Sequence, residues 1–211
     1  MEDKEQPVLN SALRLLAKTS VFVFIGVVIS KVISYFYRIV IARYFGSEVY
    51  GLFSLALMII GLVSTIAMFG ISSGVFRYIA YYRGKGEPEK IRYISKIAIR
   101  FLVITSIISC IALFALSEII AIDIFHNPSL IFFLKISSIA VPITLFLNLS
   151  FSFLLAFEKV SLHSFIYNIL LNASKFILIV VFIFVGLGSS SVMLSYLGGL
   201  VIVLADRKSV V

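Results

Sequence analysis

The sequence consists of long apolar runs separated by short polar segments. A helix needs about 20 mostly apolar residues to cross the hydrocarbon core of a bilayer. From these runs we predict six spans, at roughly residues 21–42, 51–70, 97–116, 132–157, 163–187 and 192–205. The pattern therefore predicts an all-α fold, a polytopic membrane bundle of about six transmembrane helices.

Polar segments flank the predicted bundle, residues 21–205, at both ends. Residues 1–20 predict a cytoplasmic N-terminal segment, and residues 206–211 a cytoplasmic tail. The last run is short, because the 14 residues of 192–205 reach only about 21 Å in a helix, against a hydrocarbon core of ~30 Å. We interpret this end of the chain as a truncation or a frame-shifted end.

The first apolar run carries two cations in its interior, Lys31 and Arg38. Their spacing of two helical turns places them on one face of a helix, with Ser34 and Tyr35 between them. A cation near the bilayer centre costs about 2.5–3.5 kcal/mol even on the more lenient insertion scale. We therefore expect this face to line a water-filled cavity within a bundle.

The fifth run carries a second polar face, formed by Asn168, Asn172 and Lys175 at helical spacing. Neither this run nor the first contains an acidic residue that would neutralise the cations. Guanidinium and ammonium groups both suit phosphate, so the two faces predict an anionic guest. The alternative is that Lys31 and Lys175 extend to the membrane interface and that Arg38 caps backbone carbonyls.

Lys and Arg are distributed unevenly between the predicted loops. With the N-terminus inside, the inner segments carry twelve, six of them in the basic loop (residues 77–96), and the outer loops carry only Arg43. Because cytoplasmic loops are enriched in Lys and Arg, we predict a multi-pass protein of the cell membrane with both termini cytoplasmic. Pro88 is expected to begin the next helix, and the small residues of 70–74 to mark a kink or a close helix contact.

The composition agrees with a membrane protein, with 61% hydrophobic and 13% charged residues. Soluble domains are near 45–50% apolar and about 25% charged. The net charge of +8 predicts no nucleic-acid partner, because the basic residues cluster between the apolar spans as topology requires. Cys110 is the only cysteine, so the chain forms no internal disulfide.

No pattern in the sequence indicates catalysis. The segment GKGEPEK is a turn rather than a phosphate loop, because no strand precedes it and no Lys-Ser/Thr pair ends it. His126 and His163 fall on opposite sides of the predicted membrane and cannot share a metal. Glycosylation triplets at Asn148 and Asn172 lie inside spans and are interpreted as chance matches. We predict no enzyme activity, no catalytic residue, no metal site and no cofactor.

Three segments of the first half are similar to a known family. They are ARYFG at the end of the first span, EVYGLFSLA at the start of the second, and FGISSGVFRYIA before the basic loop. Over roughly residues 15–110 the chain resembles the polysaccharide-biosynthesis flippases, the Wzx-like branch of the multidrug/oligosaccharidyl-lipid/polysaccharide (MOP) exporter superfamily. The remainder is similar in hydropathy.

The resemblance implies a membrane flippase with two helix bundles around a cavity that opens alternately to each side. Such proteins translocate an undecaprenyl- or dolichyl-pyrophosphate-linked sugar, driven by an ion gradient or the membrane potential. A cationic face of the first helix would contact the pyrophosphate, which here implies Lys31 and Arg38. In the related peptidoglycan-precursor flippases the second of these cations lies one position earlier, at Tyr37 of this chain.

The resemblance also implies partners. Members have roughly twice as many helices in two pseudo-symmetric halves, so this chain corresponds to the N-terminal half and requires the missing C-terminal half or a second copy. Membrane lipid, the lipid-linked oligosaccharide and polysaccharide-synthesis enzymes are the other expected partners. Two alternatives remain open: a multidrug-type exporter of the same superfamily, whose cationic cargo suits an acid-free cavity poorly, and a non-transporting membrane scaffold subunit.

Overall fold

The computed structural model describes residues 2–158 and 165–206. Within these ranges the regular structure is helical throughout. The α-helices are α1 (Glu2–Tyr44), α2 (Gly46–Met68), α3 (Ile71–Gly84), α4 (Pro88–Ile119), α5 (Leu130–Ala156), α6 (Leu171–Val185) and α7 (Ser190–Asp206). A π-helical segment, Ile120–Ile124, extends α4, and a second, Phe165–Leu170, leads into α6.

Within the part of the chain that the structure describes, five helices are long and apolar enough to cross a membrane. They occupy Val23–Tyr44, Gly46–Met68, Pro88–Ile124, Leu130–Ala156 and Asn168–Val185, and Ser190–Ala205 is a shorter apolar helix. The prediction of a polytopic helical bundle is thus confirmed. The last predicted span, at residues 192–205, corresponds to the short apolar helix Ser190–Ala205. The start of the predicted span 163–187, with Lys159 and His163, lies outside the described residues, as do Arg207 and Lys208.

Two helices extend further than the sequence pattern predicts. Helix α1 has 43 residues and begins at Glu2. Leu and Ala in residues 11–18 favour a helix before the span, and Pro7, in the second turn, does not stop it. The basic loop is also largely helical, since α3 continues to Gly84 and α4 begins at Pro88. Pro88 occupies the first turn of α4, as expected from its missing backbone donor.

Helix α2 ends at the predicted break. Phe69 and Gly70 both have left-handed backbone angles, with φ of 41° and 75°, which Gly70 adopts without strain and Phe69 does not. Two successive left-handed residues cannot continue an α-helix, so the chain changes direction there. Helix α3 then packs, like α2, against α4 and α5.

Helix α5 lies at the centre of the bundle and packs against α2, α3, α4 and α7. Its buried hydroxyls donate to carbonyls one turn earlier, as in Ser137 to Phe133 O at 2.7 Å and Ser138 to Lys135 O at 2.7 Å. These bonds satisfy polar groups that apolar surroundings would penalise. Small hydroxyl residues also allow neighbouring helices to approach closely.

Polar contacts join α5 to its neighbours at both ends. Arg83 of α3 donates to the carbonyl of Ala156 at 3.1 Å and pairs with Glu158 at 3.4 Å, which caps the C-terminus of α5. At the other end, Lys135 of α5 pairs with Glu118 of α4 at 2.8 Å. The two contacts hold α5 in register with α3 and α4.

Candidate functional site

The predicted cationic face of α1 lies on the outside of the described bundle. Lys31, Tyr35 and Arg38 are exposed and Ser34 is half-buried. The ion pairs found among the described residues are made by other cations, on α3, α4 and α5. Lys31 and Arg38 are therefore available to a ligand or to a second helix bundle.

One side of α1 is buried and fixes the orientation of the helix. The Tyr37 hydroxyl lies 3.1 Å from Ser195 Oγ and 3.4 Å from the carbonyl of Val192, both on α7. The Tyr37 ring also packs edge-to-face on Phe53 of α2, with 6.0 Å between the ring centres. Arg38 follows Tyr37 directly, so the cationic face lies about 100° around the helix from this packed side and remains exposed.

Helix α6 contributes to the site mainly by holding α1. The amide of Asn172 donates to Ser30 Oγ at 2.8 Å and to the carbonyl of Asn168 at 2.9 Å. Ser30 is buried, one position before Lys31. The structure thus brings Asn172 to α1, on the side next to the cations, while Asn168 lies half-buried one turn earlier.

Lys175 lies between α6 and α7. Its ammonium is 4.5 Å from the centre of the Tyr196 ring, a distance suited to a cation–π interaction. A Cβ on Gly199 would lie 2.5 Å from Lys175 Cγ, so α7 approaches the Lys175 stem closely because residue 199 is a glycine. Lys175 therefore contacts α7, and its place in a site shared with Lys31 and Arg38 stays a prediction.

Tyr37 and Arg38 lie in different environments. Tyr37, the position at which the resemblance to the peptidoglycan-precursor flippases implies the second cation, is buried against α2 and α7. Arg38 follows on the exposed side. In this chain the exposed position is therefore 38, on the same face as Lys31.

A second feature, which the sequence analysis missed, is a cavity of about 650 Å³ between α2, α3 and α5. We refer to it as the α2–α5 cavity. Its polar lining comprises Ser64, Thr65, Ser72, Thr144, Asn148 and Ser152. A signal was present in the sequence, because Thr144, Asn148 and Ser152 recur every four residues on one face of α5. Such residues also occur where transmembrane helices pack closely, so this pattern alone does not indicate a cavity.

The comparisons with known proteins agree with the fold. The family model described as "Polysaccharide biosynthesis protein" matches residues 16–205. This match extends the resemblance seen in residues 15–110 through α5, α6 and α7. Comparison with curated proteins and with solved structures found no significant match. The chain therefore belongs to the polysaccharide biosynthesis protein family, as a multi-pass membrane protein of the transporter type.

Proposed function

We propose that the chain is the N-terminal bundle of a flippase that translocates a polyprenyl-pyrophosphate-linked oligosaccharide for cell-surface polysaccharide synthesis. The observation that carries this proposal is the exposed pair Lys31 and Arg38, without acidic partners among the described residues, on a helix long enough to span the membrane. In contact with lipid tails each would cost about 2.5–3.5 kcal/mol. A pyrophosphate held in a wet cavity relieves that cost.

In the proposed binding mode the two cations make different contacts with the pyrophosphate. Arg38 binds phosphate oxygens through two parallel N–H groups, and Lys31 adds a point charge two turns along the helix. Tyr35 and Ser34 supply hydroxyl donors between them. Asn172 is a positioning residue, because its bond to Ser30 holds the face of α1 in place. Asn168, in the π-helical segment before α6, and Lys175, on α6, complete the proposed substrate-binding set.

The proposed transport cycle needs a second bundle, either a C-terminal half or a second copy of this chain. The two bundles enclose the cavity and rock against each other, so that the pyrophosphate and sugars cross while the lipid tail stays in the bilayer. An ion gradient or the membrane potential supplies the energy. No covalent bond is made or broken, so the cycle needs no catalytic residue, cofactor or metal. We place the protein in the cell membrane with both termini cytoplasmic.

Replacement of Arg38 tests this function. The full-length protein is reconstituted into vesicles containing a fluorescent polyprenyl-pyrophosphate disaccharide, and the initial rate of its transfer between leaflets is measured. We expect Arg38→Ala to lower the rate at least tenfold, and Arg38→Lys to retain part of it because the charge remains without the bidentate geometry.

Arg43→Ala is the matched control for that experiment. Arg43 is an exposed cation on the same helix but lies off the face of Lys31 and Arg38. The Arg43→Ala rate should match that of the unaltered protein. An unaltered rate in Arg38→Ala would remove Arg38 from the site.

A further inference from the structure

The α2–α5 cavity, defined above, differs from the cationic face of α1 because its lining carries no charged side chain. A cavity without cations is a poor site for pyrophosphate, and one without carboxylates is a poor site for metal ions or cationic drugs. We propose that it binds a neutral saccharide unit of the substrate, whose pyrophosphate occupies Lys31 and Arg38. This proposal rests on the flippase function proposed above.

The hydrogen-bonding groups of the cavity suit sugar hydroxyls. Thr65 donates to the carbonyl of Gly61 at 2.8 Å, Thr144 to that of Ala140 at 2.9 Å, and Ser152 to that of Asn148 at 3.0 Å. The proton of each of these hydroxyls is therefore already used in a hydrogen bond, and the oxygen remains an acceptor for a ligand. Three acceptors on the wall of one cavity favour a ligand rich in O–H donors.

Asn148 supplies the most versatile polar group of the lining. Its amide offers two donors and an acceptor, and it lies on α5 across the cavity from Thr65. Ser64 differs, because only 5% of the residue is exposed and its hydroxyl oxygen is closed off from the cavity, without a hydrogen-bond partner among the described residues. The polar groups open to a guest are therefore those of Asn148 and of the three hydroxyls named above.

The remaining walls and the volume also suit a sugar. Met68 and Phe151 supply apolar surface for the C–H faces of a ring, beside the polar groups that fix its orientation. The volume of about 650 Å³ falls within the range of small-molecule sites, roughly 300–1,000 Å³. The break at Phe69 and Gly70 completes the cavity, because it turns the chain so that Ser72 joins the wall.

Along the bundle axis, the cavity lies on the Lys31 side of the cationic face. Helices α1 and α2 are antiparallel, since only Phe45 separates them, and Tyr37 packs on Phe53 at one level. Ser64 lies roughly 16 Å along α2 from that level, and Lys31 about 9 Å along α1 in the same direction. Measured along the helix axes, the cavity is thus displaced by roughly 7 Å from Lys31 and about 18 Å from Arg38, so a saccharide bound there extends from the Lys31 end of the face.

Two lipid probes test the assignment in nanodiscs that contain the full-length protein. One is polyprenyl pyrophosphate carrying a neutral disaccharide, and the other is the same lipid without sugar. We expect the double variant Thr65→Val, Asn148→Leu, which removes an acceptor of α2 and the amide of α5 from the lining, to weaken binding of the glycosylated lipid at least tenfold and to leave the sugar-free lipid within twofold. Arg38→Ala should weaken both.

Ser54→Ala is the matched control, because Ser54 is an exposed hydroxyl on the same helix, bonded to the carbonyl of Tyr50 and outside the cavity. It should change neither affinity. If the double variant weakens both lipids equally, or weakens neither, the saccharide assignment is overturned.

The flippase proposal fails if the unaltered protein binds neither lipid. A second experiment therefore tests the saccharide site without a lipid substrate. Ser72→Cys, in a Cys110→Ser background, is labelled with N-ethylmaleimide in the presence of maltose or lactose. Slower labelling, with no slowing by equal glycerol, supports a saccharide site without any lipid substrate. Labelling that neither disaccharide slows overturns it.

Discussion

Tyr37 and Arg38 are neighbours in sequence and occupy opposite environments. Tyr37 is buried against α2 and α7, whereas Arg38 is exposed. The helical period alone predicts that Lys31 and Arg38 share a face, and this geometry holds for any straight helix. Which face turns inward depends on Ser30, Tyr37 and their partners on α6 and α7, and those partners lie more than 140 residues away.

Removal of the Tyr37 hydroxyl tests that packing. Tyr37→Phe loses the contact with Ser195 but keeps the ring on Phe53, so we expect the protein to lose about 1 kcal/mol of stability. Thermal unfolding in detergent, followed by intrinsic fluorescence or aggregation, measures the loss as a lower Tm. Tyr35→Phe is the control, because Tyr35 is exposed on the same helix, and it should leave the Tm unchanged. Equal Tm values for the two variants would contradict the role of Tyr37.

Lys175 shows the limit of prediction at this scale. Its spacing from Asn168 and Asn172 predicts that the three share one helical face, but the sequence carries no information on the helix opposite. In the structure that helix is α7, whose Tyr196 ring lies 4.5 Å from the ammonium. The partner could not be predicted because it depends on packing between helices rather than on periodicity within one.

At the scale of elements, glycine and proline mark the boundaries that the sequence predicts well. Gly70 ends α2 with a left-handed turn, and Pro88 begins α4. The N-terminal extension of α1 and the helical form of most of the basic loop were missed. Both segments are polar and contain residues that usually break helices, Pro7 in the first and Gly84, Gly86 and Pro88 in the second, so their local sequence under-predicts their helical extent.

The contact between α6 and α7 provides a prediction at this scale. A Cβ on Gly199 would lie 2.5 Å from Lys175 Cγ and 3.3 Å from its backbone nitrogen, whereas one on Gly198 would meet the end of the Leu178 side chain at 2.7 Å. Leu178 can rotate away, and the start of the Lys175 side chain cannot. We therefore expect Gly199→Ala to lower the Tm clearly more than Gly198→Ala.

The same thermal unfolding measurement, on both glycine variants in one detergent, checks this. Equal effects of Gly198→Ala and Gly199→Ala would show that α7 does not approach α6 at Lys175 as described. A larger effect of Gly198→Ala would reverse the order of the two contacts.

The whole molecule presents apolar surface on its outside. On α4, for example, Ile104, Ile108 and Ile111 are each at least 58% exposed, while Leu102 and Leu113 are buried. Such a surface is suited to lipid rather than to water. Bundle architecture and family could be predicted from hydropathy and three short motifs. The α2–α5 cavity could not, since it forms only where the break after α2 meets α5.

The proposed orientation follows from the distribution of Lys and Arg and is a property of the whole molecule. In a Cys110→Ser background, Ser189→Cys should react with a membrane-impermeant maleimide on intact cells, because residue 189 falls in an outer turn. Lys85→Cys should react only after permeabilisation. Both residues are exposed in the structure, so burial could not explain a reversed labelling pattern. Such a pattern would show that the topology is inverted.

The most direct test of the central claim is the transfer of a fluorescent polyprenyl-pyrophosphate disaccharide between leaflets of vesicles that contain the full-length protein. We predict an initial rate at least tenfold above that of protein-free vesicles, and a return to the protein-free rate when Lys31 and Arg38 are both replaced by Ala. A rate equal to that of protein-free vesicles, with correctly folded and inserted protein, would contradict the flippase function.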